Sequence, residues 1–201
     1  MTLPVPGFLR KVFAAHQRWV VSEGKEGCRA DLRGADLSNL DLHGLNLARA
    51  TLTDVVLSGA ILRSVDLSEA SLQNADLSLA DLHWANLSGA DLERANLSGA
   101  QLQFSKFDKA NLVGACLKGA FLHNAWFWEA NCRSADFSQA SLNFTSFKSA
   151  NLREGQFDQA RLQQTDMQNA DLRGSSILSA EILSADFQGA DLPTRASPQA
   201  V

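Results

Sequence analysis

The chain has no tyrosine, only two methionines, and four prolines, at Pro4, Pro6, Pro193 and Pro198. The long stretch between Pro6 and Pro193 carries none. Proline has no N–H to give to a hydrogen-bonded ladder, so its exclusion implies that this stretch uses its backbone donors. Cysteine is scarce: Cys28, Cys116 and Cys132 are odd in number, widely spaced and without a CxxC pair. That excludes a disulfide framework and offers no zinc-ligand spacing. Long apolar runs are missing, as are a signal-peptide core and a small-residue cleavage site, so the chain reads as cytoplasmic with no membrane span. Clusters of Lys and Arg are missing too. The net charge is −4: residues 1–29 carry five basic and two acidic side chains, and residues 30–194 carry 12 basic and 20 acidic ones. An acidic body argues against a nucleic-acid groove and is what solubility alone asks for. GxGxxG, P-loop, HExxH and nucleophile-elbow signatures are absent. The reading is of a protein that is not an enzyme and takes no cofactor and no metal.

What the chain does have is a repeat. Ala85-Asn86-Leu87-Ser88-Gly89 is followed at once by Ala90-Asp91-Leu92-Glu93-Arg94 and Ala95-Asn96-Leu97-Ser98-Gly99. Stepping by five from Leu32 reaches Leu192 through 33 apolar centres without a slip of register. Five matches neither the helical period of 3.6 nor the strand period of 2, but it fits a coil that turns a corner once per repeat. The centre and the residue two before it then point inward, and the other three face water. The residue two after the centre is often glycine (Gly34, Gly44, Gly59, Gly89, Gly99) or asparagine (Asn39, Asn74, Asn124), types that tolerate the positive φ of the third residue of a type II turn. Cys132 sits at a repeat centre and reads as a small core hydrophobe. Leu40, Leu45, Val55 and Val65 replace the small inward residue in the first coils.

Ahead of the repeat, Gly7 to about Ser22 shows helical spacing. Phe8, Val12, Ala15 and Trp19 lie on one side, with Leu9, Phe13, His16 and Val20 beside them and Arg10, Lys11, Gln17 and Arg18 opposite. Such a helix serves either as a membrane-surface element or as the cap that the first repeat of a stack requires; the cap is the favoured reading.

The repeat resembles the pentapeptide-repeat family over about four-fifths of the chain. The resemblance implies an all-β solenoid: a right-handed quadrilateral β-helix of about eight coils with an N-terminal α-helical cap, roughly 39 Å long at β-sheet spacing. The domains are then residues 1–29 (lead and capping helix), 30–194 (β-helix) and 195–201 (tail).

With four pentads per coil, residues 20 apart share a face. One face, centred on Leu37, Leu57, Leu77 and Leu97, carries the row Ser38, Ser58, Ser78 and Ser98 with Asp36, Asp76, Asp136 and Asp158 and a single lysine, Lys118. It is a solvated polar surface or an acidic surface for a partner. The next face carries His43, His83 and His123, two coils apart and too distant to share a metal. Trp84, Phe104 and Phe144 share the corner after it, with Phe121, Trp126 and Trp128 on neighbouring positions. Outward aromatics mark an interaction site or stabilise a wide corner by stacking. Leu178 and Leu183 point outward near the last coil, beside inward Ile177 and Ile182, and suggest an end-to-end homodimer.

These features give two function readings. One is a rigid interaction rod that shows its aromatic corner to an unidentified protein partner. The other follows from the resemblance, because relatives of the Qnr type bind DNA gyrase or topoisomerase IV as DNA mimics and thereby counter quinolones. The unbroken register and the lack of a C-terminal capping helix depart from that subgroup. Ordering of water or ice by the serine row is a third class, without the threonine ladders it would need.

Overall fold

The computed structural model describes residues 5–194; Pro4 and the proposed tail 195–201 lie outside that range. Helix α1 runs Gly7–Val21, and from Asp31 onward the chain winds into stacked coils. Each coil is bonded to the next through parallel pairs 20 residues apart, such as Asp31 with Thr51, Asp91 with Asn111 and Asp171 with Asp191. A four-pentad coil is therefore the repeating unit. The expected β character takes the form of one-residue bridges, because each side of the square is too short for a longer run between corners. Two short strands occur at the end, β1 (Arg161–Gln163) and β2 (Glu181–Leu183), paired in parallel with Arg161 opposite Glu181.

The pentad centred on Leu97 shows why the five-residue unit closes. Asn96 N–H reaches back to Ala75 O (2.9 Å), Leu97 N–H forward to Cys116 O (2.7 Å), and Gly99 N–H forward to Lys118 O (2.9 Å). Ala100 N–H closes the turn on Leu97 O at 3.1 Å. The fifth donor, Ser98 N–H, bonds the side-chain oxygen of Asn96 at 3.1 Å. All five N–H groups are used, and a proline anywhere in the unit would forfeit one.

The same account explains the Asp/Asn slot before the centre. Its side-chain oxygen accepts the N–H two residues on: Asp36 from Ser38 (3.0 Å), Asp76 from Ser78 (3.0 Å), Asp136 from Ser138 (2.8 Å). Asn and Asp also bond one another up the column, Asn96 Nδ2 donating to Asp76 and Asn86 Nδ2 to Asp66, both at 3.1 Å. An amide stacked next to a carboxylate gives a hydrogen bond where a second carboxylate would repel. The residue two after the centre has positive φ at glycine and non-glycine alike, including Arg49 at 61° and Trp84 at 61°.

Leucine centres fill the first coils and phenylalanine the later ones. Phe107, Phe127 and Phe147 stack at 4.5 and 4.7 Å between centroids. Across the core Phe137 and Phe157 stack at 5.2 Å, and Phe137 meets Phe147 edge-on at 5.4 Å. Room for the larger rings comes from small inward neighbours. Gly155 stands where a Cβ would lie 3.0 Å from Leu152 O and 3.1 Å from Phe157 Cε2. Buried Ser105, Thr145 and Thr165 turn their hydroxyls onto the carbonyls of Leu102 (2.6 Å), Leu122 (2.7 Å) and Leu142 (2.9 Å). Cys132 is fully buried, and burial pushes its thiol pKa up, as a core hydrophobe requires.

Two details at the ends differ from the sequence reading. Helix α1 buries Leu9, Phe13 and His16, joined to the core containing Leu40, while Phe8 is 68% exposed. The helix is rotated so that its i, i+4, i+7 stripe meets the first coil. At the other end Ile177 is buried, in a 3₁₀ turn over Ile177–Ser179, but Ile182 is 43% exposed because no described coil covers it.

Candidate protein-interaction surface

The corner following the face of His43, His83 and His123 holds, in successive coils, Trp84, Phe104, Asn124 and Phe144. The backbone there is left-handed, with φ of 61°, 60°, 57° and 60°. That conformation favours glycine and asparagine and costs other residues on the order of 1 kcal/mol. Nothing in coil closure asks for an aromatic at this column. Trp84 and Phe104 stack face to face, with centroids 4.2 Å apart and planes 4° apart. The stack ends at Asn124, and Phe144 stands alone beyond it.

The adjoining face carries a second pair. Trp126 and Trp128 flank the buried centre Phe127, so strand alternation points both outward; their centroids are 6.2 Å apart with planes 22° apart. Neighbours in the next coils hold the rings in place. Lys106 Nζ lies 5.2 Å from the Trp126 ring centre, and Trp128 Nε1 donates to Ser146 Oγ at 2.8 Å. The Trp128 backbone N–H donates to Asp108 Oδ1 at 3.3 Å. Burial of Asp108 beside the ring pushes its carboxyl pKa up, opposed by the Trp128 hydrogen bond and by Lys106 and Lys109. Phe121 occupies a separate place, in a polar groove with His123, Gln139, Asn143, Gln159 and Arg161.

The six aromatics read as one set from the sequence are thus two ring pairs and two single rings. No ring contact joins Phe121 or Phe144 to either pair among the described residues. All six are 40–61% exposed, far more than the repeat centres.

The candidate acidic residues are structural as well as charged. Asp36, Asp76 and Asp136 each commit Oδ1 to the backbone, and Asp158 accepts the hydroxyls of Ser179 (2.6 Å) and Ser176 (3.3 Å). The bonding role of the slot was missed by sequence reasoning; the recurrence of Asp and Asn there was its signal. Leu178 and Leu183 are 63% and 61% exposed at the open end, next to exposed Ile182 and Leu192. His83 Nδ1 pairs with Asp81 at 2.6 Å, and Arg63 Nε contacts the same carboxylate at 2.5 Å. Among the described residues no group of three His, Cys, Asp or Glu side chains is placed to hold a metal, and no helix is long and apolar enough to cross a membrane.

A family profile described as pentapeptide repeats matches in eight copies, over residues 28–54, 46–83, 85–124, 115–154 and 156–192. Curated proteins include no match. Similar solved structures include HetL, a pentapeptide repeat protein involved in heterocyst differentiation regulation from the cyanobacterium Nostoc sp. strain PCC 7120. It is 25% identical over 88% of this chain and 91% of its own, with a TM-score of 0.33. The pentapeptide repeat protein alr5209 from Nostoc PCC 7120 is 31% identical over 58% and 84%, with a TM-score of 0.46. QnrB1, a plasmid-mediated fluoroquinolone resistance protein, is 17% identical over 81% and 89%, with a TM-score of 0.41.

Proposed function

The chain belongs to the pentapeptide-repeat family, and from that premise we propose that it is a non-enzymatic interaction rod whose outward aromatics anchor a protein partner. The reading takes its coils to wind to the right, as membership of the family implies. The observation that carries this reading is the pair of prepacked ring sets, Trp84 with Phe104 and Trp126 with Trp128, on a surface whose backbone has no need of them. Aromatic anchors contribute most when they are already fixed, because little side-chain freedom is lost on docking. Phe121 and Phe144 are further candidate contacts. The test is cross-linked capture from the source cell with wild type and with Trp84, Trp126 and Trp128 all changed to alanine. Loss of a captured protein by a variant with unchanged circular dichroism supports the reading; equal capture by both rejects it.

A second reading, mimicry of DNA toward a type II topoisomerase such as gyrase or topoisomerase IV, is favoured by one observation. The face bearing Asp36, Asp76, Asp136 and Asp158 has Lys118 as its one basic residue. Because Oδ1 of the first three is committed, the mimic would present Oδ2 toward a basic channel. Gyrase supercoiling with and without a fluoroquinolone tests it: no effect at about micromolar protein sinks it. In either reading two copies pair end to end through the last coil, at Leu178 and Leu183.

A further inference from the structure

The basic side chains of the coils are almost all neutralised locally. Each of the eight arginines within residues 30–194 has a carboxylate within 4 Å. The lysines behave differently. Lys109 approaches Glu129 at 3.7 Å, whereas Lys106, Lys118 and Lys148 make no ion pair among the described residues. Two of these three uncompensated lysines flank one feature: Lys106 lies beneath Trp126, and Lys148 is one coil above Trp128, where its carbonyl accepts the N–H of Glu129. Both lysines are exposed. An acidic rod therefore shows, at its exposed tryptophan pair, the positive charge it cancels nearly everywhere else.

We propose that the Trp126–Trp128 surface, with Lys106 and Lys148 on either side, docks an acidic peptide segment that carries an aromatic or aliphatic side chain. This rests on the interaction-rod reading and adds the chemistry of the partner. The apolar side chain of the segment packs on the indoles, and its carboxylates meet the two lysines, which have no ion pair among the described residues to give up. A lysine outside any ion pair meets a partner's carboxylate without first breaking an internal pair. Asp108, whose Oδ1 accepts the Trp128 backbone N–H, is a carboxylate whose burial already disfavours its charge. A single-stranded nucleic acid would also use rings and lysines. It would, however, have to lie along a body that carries 20 acidic against 12 basic side chains, and the two free lysines neutralise too few phosphates to offset that.

The test is selection of a random displayed peptide library on the full-length protein, with a Trp126→Ala/Trp128→Ala variant as counter-selection, followed by fluorescence titration of enriched peptides and of oligothymidylate. Enrichment of Asp and Glu around an apolar residue is expected. So is about tenfold weaker binding to Lys106→Glu/Lys148→Glu, which a Lys106→Gln/Lys148→Gln variant shares in part and Lys118→Glu does not. Enriched peptides without acidic residues overturn this inference while leaving the aromatic surface standing. No enrichment at all overturns both. Oligothymidylate binding more tightly than any peptide makes the surface a nucleic-acid site and overturns the inference as well.

Discussion

The Nδ1 atom of His16 accepts the backbone N–H of Ala30 at 3.0 Å, so a side chain of the cap satisfies the first inward donor of the solenoid. In later pentads the equivalent N–H closes a turn on the preceding centre, as Ala50 does on Leu47 at 3.0 Å. No pentad precedes Ala30, and the imidazole stands in for the missing carbonyl. The acceptor role requires a neutral ring with its proton on Nε2. Burial lowers the pKa of His16, with Arg29 adding to the effect and the Ala48 backbone opposing it.

The sign of the pH dependence follows. The unfolded chain binds a proton at His16 near pH 6.5, whereas the folded chain does so only at lower pH. Stability from this site is complete above about pH 6.5 and declines as pH falls below it toward the lowered folded value. Denaturant unfolding between about pH 7.5 and 5 is expected to show a slope that His16→Phe reduces. The variant is also expected to lose about 1–3 kcal/mol at neutral pH, because Ala30 N–H is orphaned. Equal slopes in the two proteins would remove His16 as the source.

Asp76 tests the bonding role of its slot. Its Oδ1 accepts Ser78 N–H at 3.0 Å and Asn96 Nδ2 at 3.1 Å. Asp76→Ala is expected to cost about 1–2 kcal/mol, and Asp76→Asn, which keeps an acceptor oxygen, well under half of that. A loss as large for asparagine as for alanine would show that charge, not the hydrogen bond, is what the slot supplies.

Gly155 and Phe157 form a volume pair. Gly155→Ala drives a methyl group against the Phe157 ring and the Leu152 carbonyl, and about 1–3 kcal/mol of destabilisation is expected. Phe157→Leu should recover part of that loss, so the double-mutant cycle is expected to be non-additive. Additive losses would mean that the backbone contact alone sets the cost.

The open coil predicts association. Light scattering during size-exclusion chromatography is expected to give twice the chain mass of 21.7 kDa, falling to the monomer when Leu178 and Leu183 are changed to Asp. A wild-type monomer at all concentrations would end that proposal.

The coil itself was legible in the residues, because its causes are local. A five-residue period, an apolar centre and a corner residue suited to positive φ together leave the chain few other conformations. The outward aromatics were legible for the same reason, since position within the pentad sets direction. Partnership was not. Which of Phe8 and Leu9 helix α1 buries depends on how it seats on the first coil, and the answer was Leu9. Ile182 occupies an inward position yet is exposed, because burial needs a coil on the far side and not only the right place in the pentad. The stacking of Trp84 on Phe104, and the lack of an ion pair at Lys106 and Lys148 among the described residues, arise between residues about 20 apart in sequence but one coil apart in space. Contacts of that range depend on the stacking of coils and on the rotamers it leaves open, which no single pentad encodes.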